Sequence, residues 1–151
     1  MTRCSSETAK FFDETPQSRA VKSAAQQPPT DSQSSPTILM VEDEAILRSA
    51  VAKGLQKRGF RVLEAGDGNH AMHLLATYEG EIHLMVLDVT LPGIPSPEVF
   101  KGAQRLRPDM RVVITSAHPR KTAELCFEGI QIRQFIRKPY SVSELVTLCC
   151  P

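Results

Sequence analysis

Reactive side chains fall at the ends of apolar runs. Glu42 and Asp43 follow the run 37–41, Asp88 follows 82–87, Thr115 and Ser116 fall at the end of 111–115, and Lys138 lies just beyond 133–136. Carboxylates that converge from adjacent strands repel one another, and the natural compensation is a hard divalent cation with oxygen ligands. Mg2+ fits best, because it keeps several waters and takes one or two carboxylates together with phosphate oxygens. With the charge neutralised, a carboxylate can attack phosphorus in line and form an aspartyl phosphate, while a lysine and a hydroxyl balance the phosphoryl oxygens.

Those residues must be positioned by the elements around them. The runs 37–41, 61–64, 82–87, 111–115 and 133–136 read as strands, being short, apolar and bounded by turn residues. Between and after them, 45–57, 69–78, 97–107, 119–128 and 142–149 read as helices. Gly59 supplies a stop signal after the first, Pro97 and Pro119 suit first turns, and Ser141 with Glu144 forms a capping box for the last. Strict alternation of strand and helix implies an α/β fold, a doubly wound parallel sheet with helices on both faces. Ligands bind such sheets at the carboxyl ends of the strands, beside the point where strand order reverses. All of the reactive residues lie there.

Bulk properties exclude several classes. A formal charge of +1 leaves no electrostatic footprint for nucleic acid or anionic lipid. No apolar run reaches the roughly 18 residues of a transmembrane helix, and Met1 to Lys10 is polar rather than signal-like. The expectation is a cytoplasmic chain with no membrane partner. Cys4, Cys126, Cys149 and Cys150 show no zinc-site spacing and are expected as reduced thiols. His70 and His73 have no third ligand at a suitable spacing and read as surface residues. Residues 1–36, rich in Ser, Gln and Pro, are expected to be a disordered leader ahead of a single domain over 37–151.

From Thr37 to about Leu148 the chain resembles the receiver domain of response regulators. The residues that carry the resemblance are Glu42-Asp43, Asp88 and its Leu91-Pro92 turn, the Val112–His118 run VVITSAH, and Lys138-Pro139. The resemblance implies a flavodoxin-like five-stranded sheet of order 2-1-3-4-5. It also implies that Asp88 is the phosphoacceptor and that Mg2+ is held by Asp43, Asp88 and the Thr90 carbonyl, with Glu42 assisting through water. Ser116 would be the switch hydroxyl, Lys138 the active-site lysine, Pro139 a cis proline and Phe135 the aromatic switch. Thr90 and His118 would flank the path of the hydrolytic water. The implied partners are a histidine kinase or a histidine phosphotransfer protein as donor and a downstream target protein; the module modifies itself and carries no output enzyme, and direct nucleic-acid binding is not expected.

Singly, most of these residues have plainer readings. Glu42 suits a helix start, Ser116 a cap, Lys138 and His118 the surface, and Phe135 the core. Asp88 resists one, since a carboxylate closing a buried apolar strand bears a large desolvation cost without partners. The loop after the acceptor departs from the family, with Pro95-Ser96 in place of the usual Asp-Gly, so its path into the next helix is expected to differ. Eleven residues follow Tyr140, so a short final helix and no output domain are expected. Two alternatives stand beside the phosphoacceptor reading. One is a degenerate receiver that docks without phosphorylation. The other is a haloacid-dehalogenase-like phosphatase built on Asp88-Val89-Thr90, whose expected second acid is here Thr90.

Overall fold

The computed structural model describes residues 35–149. Most of the expected leader therefore lies outside the described residues. Ten elements alternate: β1 Thr37–Val41, α1 Ala45–Gln56, β2 Arg61–Ala65, α2 Gly68–Thr77, β3 Leu84–Asp88, α3 Ser96–Leu106, β4 Arg111–Ser116, α4 Arg120–Cys126, β5 Gln134–Arg137 and α5 Val142–Cys149. The strands form one parallel sheet of order β2-β1-β3-β4-β5. This is the doubly wound architecture expected from the sequence.

Alternation along the strands divides the core in two. Leu39, Val41, Met85, Leu87 and Ile114 pack with Leu75 of α2, Val99 and Phe100 of α3, and Phe127 just after α4. On the other face Ile38, Met40, Leu84, Val86 and Val113 meet Val51 and Leu55 of α1 and Leu145 of α5. Burial of each such side chain is worth about 1.5–3 kcal/mol, so both faces of the sheet must be covered. Central β1 and β3 are accordingly buried along their whole length, whereas edge strands β2 and β5 are only partly so.

Element ends differ from expectation by a few residues, for local reasons. Strand β3 begins at Leu84, two residues after the apolar run starts at Ile82. Helix α4 spans only Arg120–Cys126 because Phe127 leaves helical geometry at φ −110° and ψ 43°. Its ring is thereby buried edge-on against Phe100, with centroids 6.0 Å apart. The capping box of α5 forms as expected: Ser141 N–H donates to Glu144 Oε2 at 2.7 Å and Glu144 N–H to Ser141 Oγ at 3.1 Å.

Candidate functional site

Strand order places the acids together. β1 sits between β2 and β3, so the chain leaves it toward β2 on one side and pairs with β3 on the other. Val41 is in register with Leu87, which brings Glu42 level with Asp88. One carboxylate oxygen from each of Glu42, Asp43 and Asp88 lies within 4.8 Å of the others. Three hard oxygen donors so close together form a group able to hold a metal ion. Glu42 and Asp88 are buried and Asp43 is exposed, so the group opens to solvent at Asp43.

Lys138 reaches into the same space from the end of β5. Its N–H donates to the Ser116 carbonyl at 2.8 Å, prolonging the β4–β5 ladder past Arg137. The Lys138-Pro139 peptide is cis, as the family resemblance implied. Nζ stands 2.7 Å from Glu42 Oε2 and 3.1 Å from Asp88 Oδ1. Burial pushes the pKa of Glu42 and of Asp88 above the ordinary carboxylate range, and Lys138 offsets this only in part. Burial works to depress the lysine, but its hydrogen bond to Glu42 and the charges of Asp88 and Glu42 outweigh that and raise its pKa. The ammonium is therefore held charged between two carboxylates that gain from any added positive charge.

The loops are held by side chains that bind backbone carbonyls. Arg48 on α1 donates from its guanidinium to the Glu42 carbonyl at 2.6 Å, and stands 3.6 Å from Glu64 on β2. The Ser96 hydroxyl at the start of α3 donates to the Asp88 carbonyl at 2.5 Å, so β3 is tied to the helix that follows it. Serine at this position is accommodated because the positive φ of the loop, +77°, falls at Gly93, and Pro95 enters the helix in extended geometry. The altered loop thus gains a polar tie to the strand. On its far side a Cβ at Gly68 would lie 1.9 Å from the Ile94 carbonyl oxygen, so α2 can abut the loop only through a glycine.

The profile of the response regulator receiver domain matches residues 38–149. The chain belongs to the receiver domain family. It is 30% identical over 118 residues to the sensor kinase CckA of Brucella abortus, covering 78% of this chain and 12% of that protein. The receiver domain of the hybrid histidine kinase CckA is 33% identical, with a TM-score of 0.61 over 74% of this chain and 94% of that one. The response regulator receiver protein from Sinorhizobium medicae is 28% identical, with a TM-score of 0.66 over 77% and 92%. The chain spans about half or less of the curated relatives it matches, 12% of CckA, 47% of a probable transcriptional regulator of Picosynechococcus and 54% of SphR of Synechococcus elongatus.

Within this receiver, Glu42, Asp43, Asp88 and Lys138 come together as the sequence led one to expect. Ser116 is buried at the end of β4, and its Oγ accepts the His118 N–H at 3.0 Å. Thr90 and His118 are both exposed on the loops that follow β3 and β4. Phe135 is half-buried and packs on the α2/α3/α4 side of the sheet. His70 and His73 are exposed on α2 and take no part in the acidic group. Sequence reasoning missed Arg48, Ser96 and Tyr140. The signal for Arg48 was present: a cation between Leu47 and Val51, on the side of α1 that should face the sheet. No helix among the described residues is long and apolar enough to cross a membrane.

Proposed function

We propose that this receiver accepts a phosphoryl group on Asp88 from a phosphohistidine of a histidine kinase or histidine phosphotransfer protein, and signals through the resulting change in conformation. The observation that carries the reading is the placement of Asp88, a buried carboxylate 3.1 Å from Lys138 and within the three-acid group. In the reaction an Asp88 oxygen attacks phosphorus, the phosphorus–nitrogen bond of the donor breaks, and the imidazole leaves with its electron pair. Asp43, Asp88 and the Thr90 carbonyl would hold Mg2+, with Glu42 assisting, and the ion would neutralise charge on the phosphoryl oxygens. The raised carboxylate pKa values fit a site that binds a cation, since burial makes two negative charges costly without one.

Lys138 supplies a cation 3.1 Å from the acceptor carboxylate and can follow the phosphoryl oxygens once they arrive. The Ser116 hydroxyl, at the end of the strand next to β3, is suited to follow the same group, and Phe135 to answer that movement. Modification and release both occur on the protein itself, so the activity is signalling rather than turnover of an external metabolite. The complete set of acids and lysine favours this reading over a degenerate docking receiver. The test is incubation with acetyl phosphate, followed by intact mass. Addition of one phosphoryl group with Mg2+ and none with EDTA is expected; no addition under either condition would leave the docking reading.

A further inference from the structure

Two of the three acids sit on the turn 42–44, and that turn lacks the usual local fastening of a helix entry. Glu44 occupies the N-cap of α1 without a side-chain hydrogen bond, and no acidic residue follows in the first turn. What holds the turn comes from further along the helix. The Arg48 guanidinium donates to the Glu42 carbonyl at 2.6 Å and makes a longer contact of 3.4 Å with the Asp43 carbonyl. The same guanidinium stands 3.6 Å from Glu64 on β2. A Cβ at Gly66 would lie 3.2 Å from its Nη1, so the group packs over the chain as it leaves β2. The Glu42 N–H meanwhile donates to the Ala65 carbonyl at 3.0 Å. Both backbone groups of Glu42 are thus tied to the end of β2, one directly and one through the arginine.

The charge of Arg48 is no help to a cation site. It is held at the peptides of two of the acids, where a positive charge repels an incoming ion, and in the opening turns of a helix it opposes the helix dipole. What the guanidinium offers is geometry, several donors in a rigid fork. Asp43 depends on that geometry. It is exposed, and its carboxylate takes part in no ion pair or side-chain hydrogen bond among the described residues, so its position follows from the backbone beneath it.

Rigidity of the donors decides which ion a group of carboxylates prefers. Mg2+ demands near-octahedral placing of oxygens at about 2.0–2.1 Å, whereas Ca2+ accepts looser sets at about 2.3–2.6 Å. We propose that Arg48, anchored on Glu64, is a positioning residue that holds the turn of Glu42 and Asp43 rigid and so sets the preference of the acidic group for Mg2+ over Ca2+. The proposal rests on the reading of Glu42, Asp43 and Asp88 as a cation site. It puts a specificity determinant on α1 and β2, in side chains that do not touch the ion.

The test titrates the full chain and its Arg48→Met, Arg48→Lys and Glu64→Gln variants separately with Mg2+ and Ca2+, following amide shifts by NMR without any phosphoryl donor. Arg48→Met is expected to weaken Mg2+ binding about tenfold, as loss of a group that orients a ligand does, and Ca2+ binding by less than about twofold. Arg48→Lys keeps the charge without the fork and should behave as Arg48→Met does. Glu64→Gln removes only the anchor from an exposed strand residue, and should weaken Mg2+ about threefold with Ca2+ unchanged; it decides the matter if Arg48→Met does not fold. Parallel losses for both ions would assign Arg48 to general stability, gains for both would assign it to its charge, and unchanged affinities would leave it no role at the site. Each of these would overturn the proposal while leaving the cation site standing. Absence of Mg2+ binding to wild type would remove the cation site, and this proposal with it.

Discussion

Replacing Lys138 by methionine keeps most of the side chain's volume and removes the only cation in ion-pair contact with Glu42 and Asp88 among the described residues. Side-chain exposures of 16% for Lys138, 1% for Glu42 and 8% for Asp88 place the group where screening is weak. Removing one partner of a fully buried pair costs about 3–5 kcal/mol, because the other charge is left uncompensated. Here the lysine retains some solvent and the acids can take up protons, so about 2–3 kcal/mol near neutral pH is the expected loss. For a domain of this size that lowers Tm by about 8–12 °C. Circular dichroism melts in EDTA, run from pH 5 to pH 8, measure it.

The pH dependence gives the sign. The raised lysine pKa means that the ammonium's contribution is fully present below the unfolded lysine value and is lost only as pH rises through the still higher folded value. Wild type therefore keeps the pair across the tested range. In the variant, Glu42 and Asp88 lose the partner that held their pKa values down. They bind protons more readily in the folded state than in the unfolded chain, so the variant gains stability as pH falls. The gap between the two proteins should be widest at pH 8 and narrow toward pH 5, and Mg2+ should close part of it at pH 8. A gap under about 2 °C, or one that widens toward acid, would refute the reasoning.

Three further outcomes follow from the same geometry. Asp43→Ala should weaken Mg2+ binding at least several-fold by NMR titration, with little loss of stability because Asp43 is exposed; an unchanged affinity would show that Asp43 is not a ligand. Ser96→Ala should cost about 1–2 kcal/mol in urea unfolding, since the Asp88 carbonyl loses its buried donor; no change would mean that this bond does not hold β3 to α3. Gly68→Ala should destabilise by more than Ser96→Ala, because the new Cβ meets a backbone oxygen rather than a side chain that can move; a neutral substitution would show that the loop yields freely.

The fold and the acidic group were legible because both are written in local pattern. Alternating apolar runs and amphipathic segments gave the parallel sheet, and the polar residues that close β1, β3 and β4 and follow β5 marked its functional end. What the sequence did not show is how the loops are fixed. The Arg48 bond to the Glu42 carbonyl and the Ser96 bond to the Asp88 carbonyl join a side chain to backbone brought near only by tertiary packing. The Pro95-Ser96 departure was visible, but its consequence depended on Gly93 carrying the positive φ. Nothing in the sequence singled out Tyr140. Its unpartnered hydroxyl emerges only when burial and the field of Glu42 and Asp88 are known together. The end of α4 was misjudged by two residues because Phe127 gains more by packing on Phe100 than by continuing the helix.

The central claim concerns one carboxylate, and it is tested most directly by locating the acyl phosphate. The full chain is incubated with Mg2+ and acetyl phosphate and reduced with borohydride, which converts an aspartyl phosphate to homoserine, and its peptides are then mapped by mass spectrometry. Homoserine at position 88 in wild type, and none anywhere in Asp88→Asn, is the expected result. Conversion at Asp43 or Glu42, or labelling of the Asp88→Asn protein equal to wild type, would contradict the account.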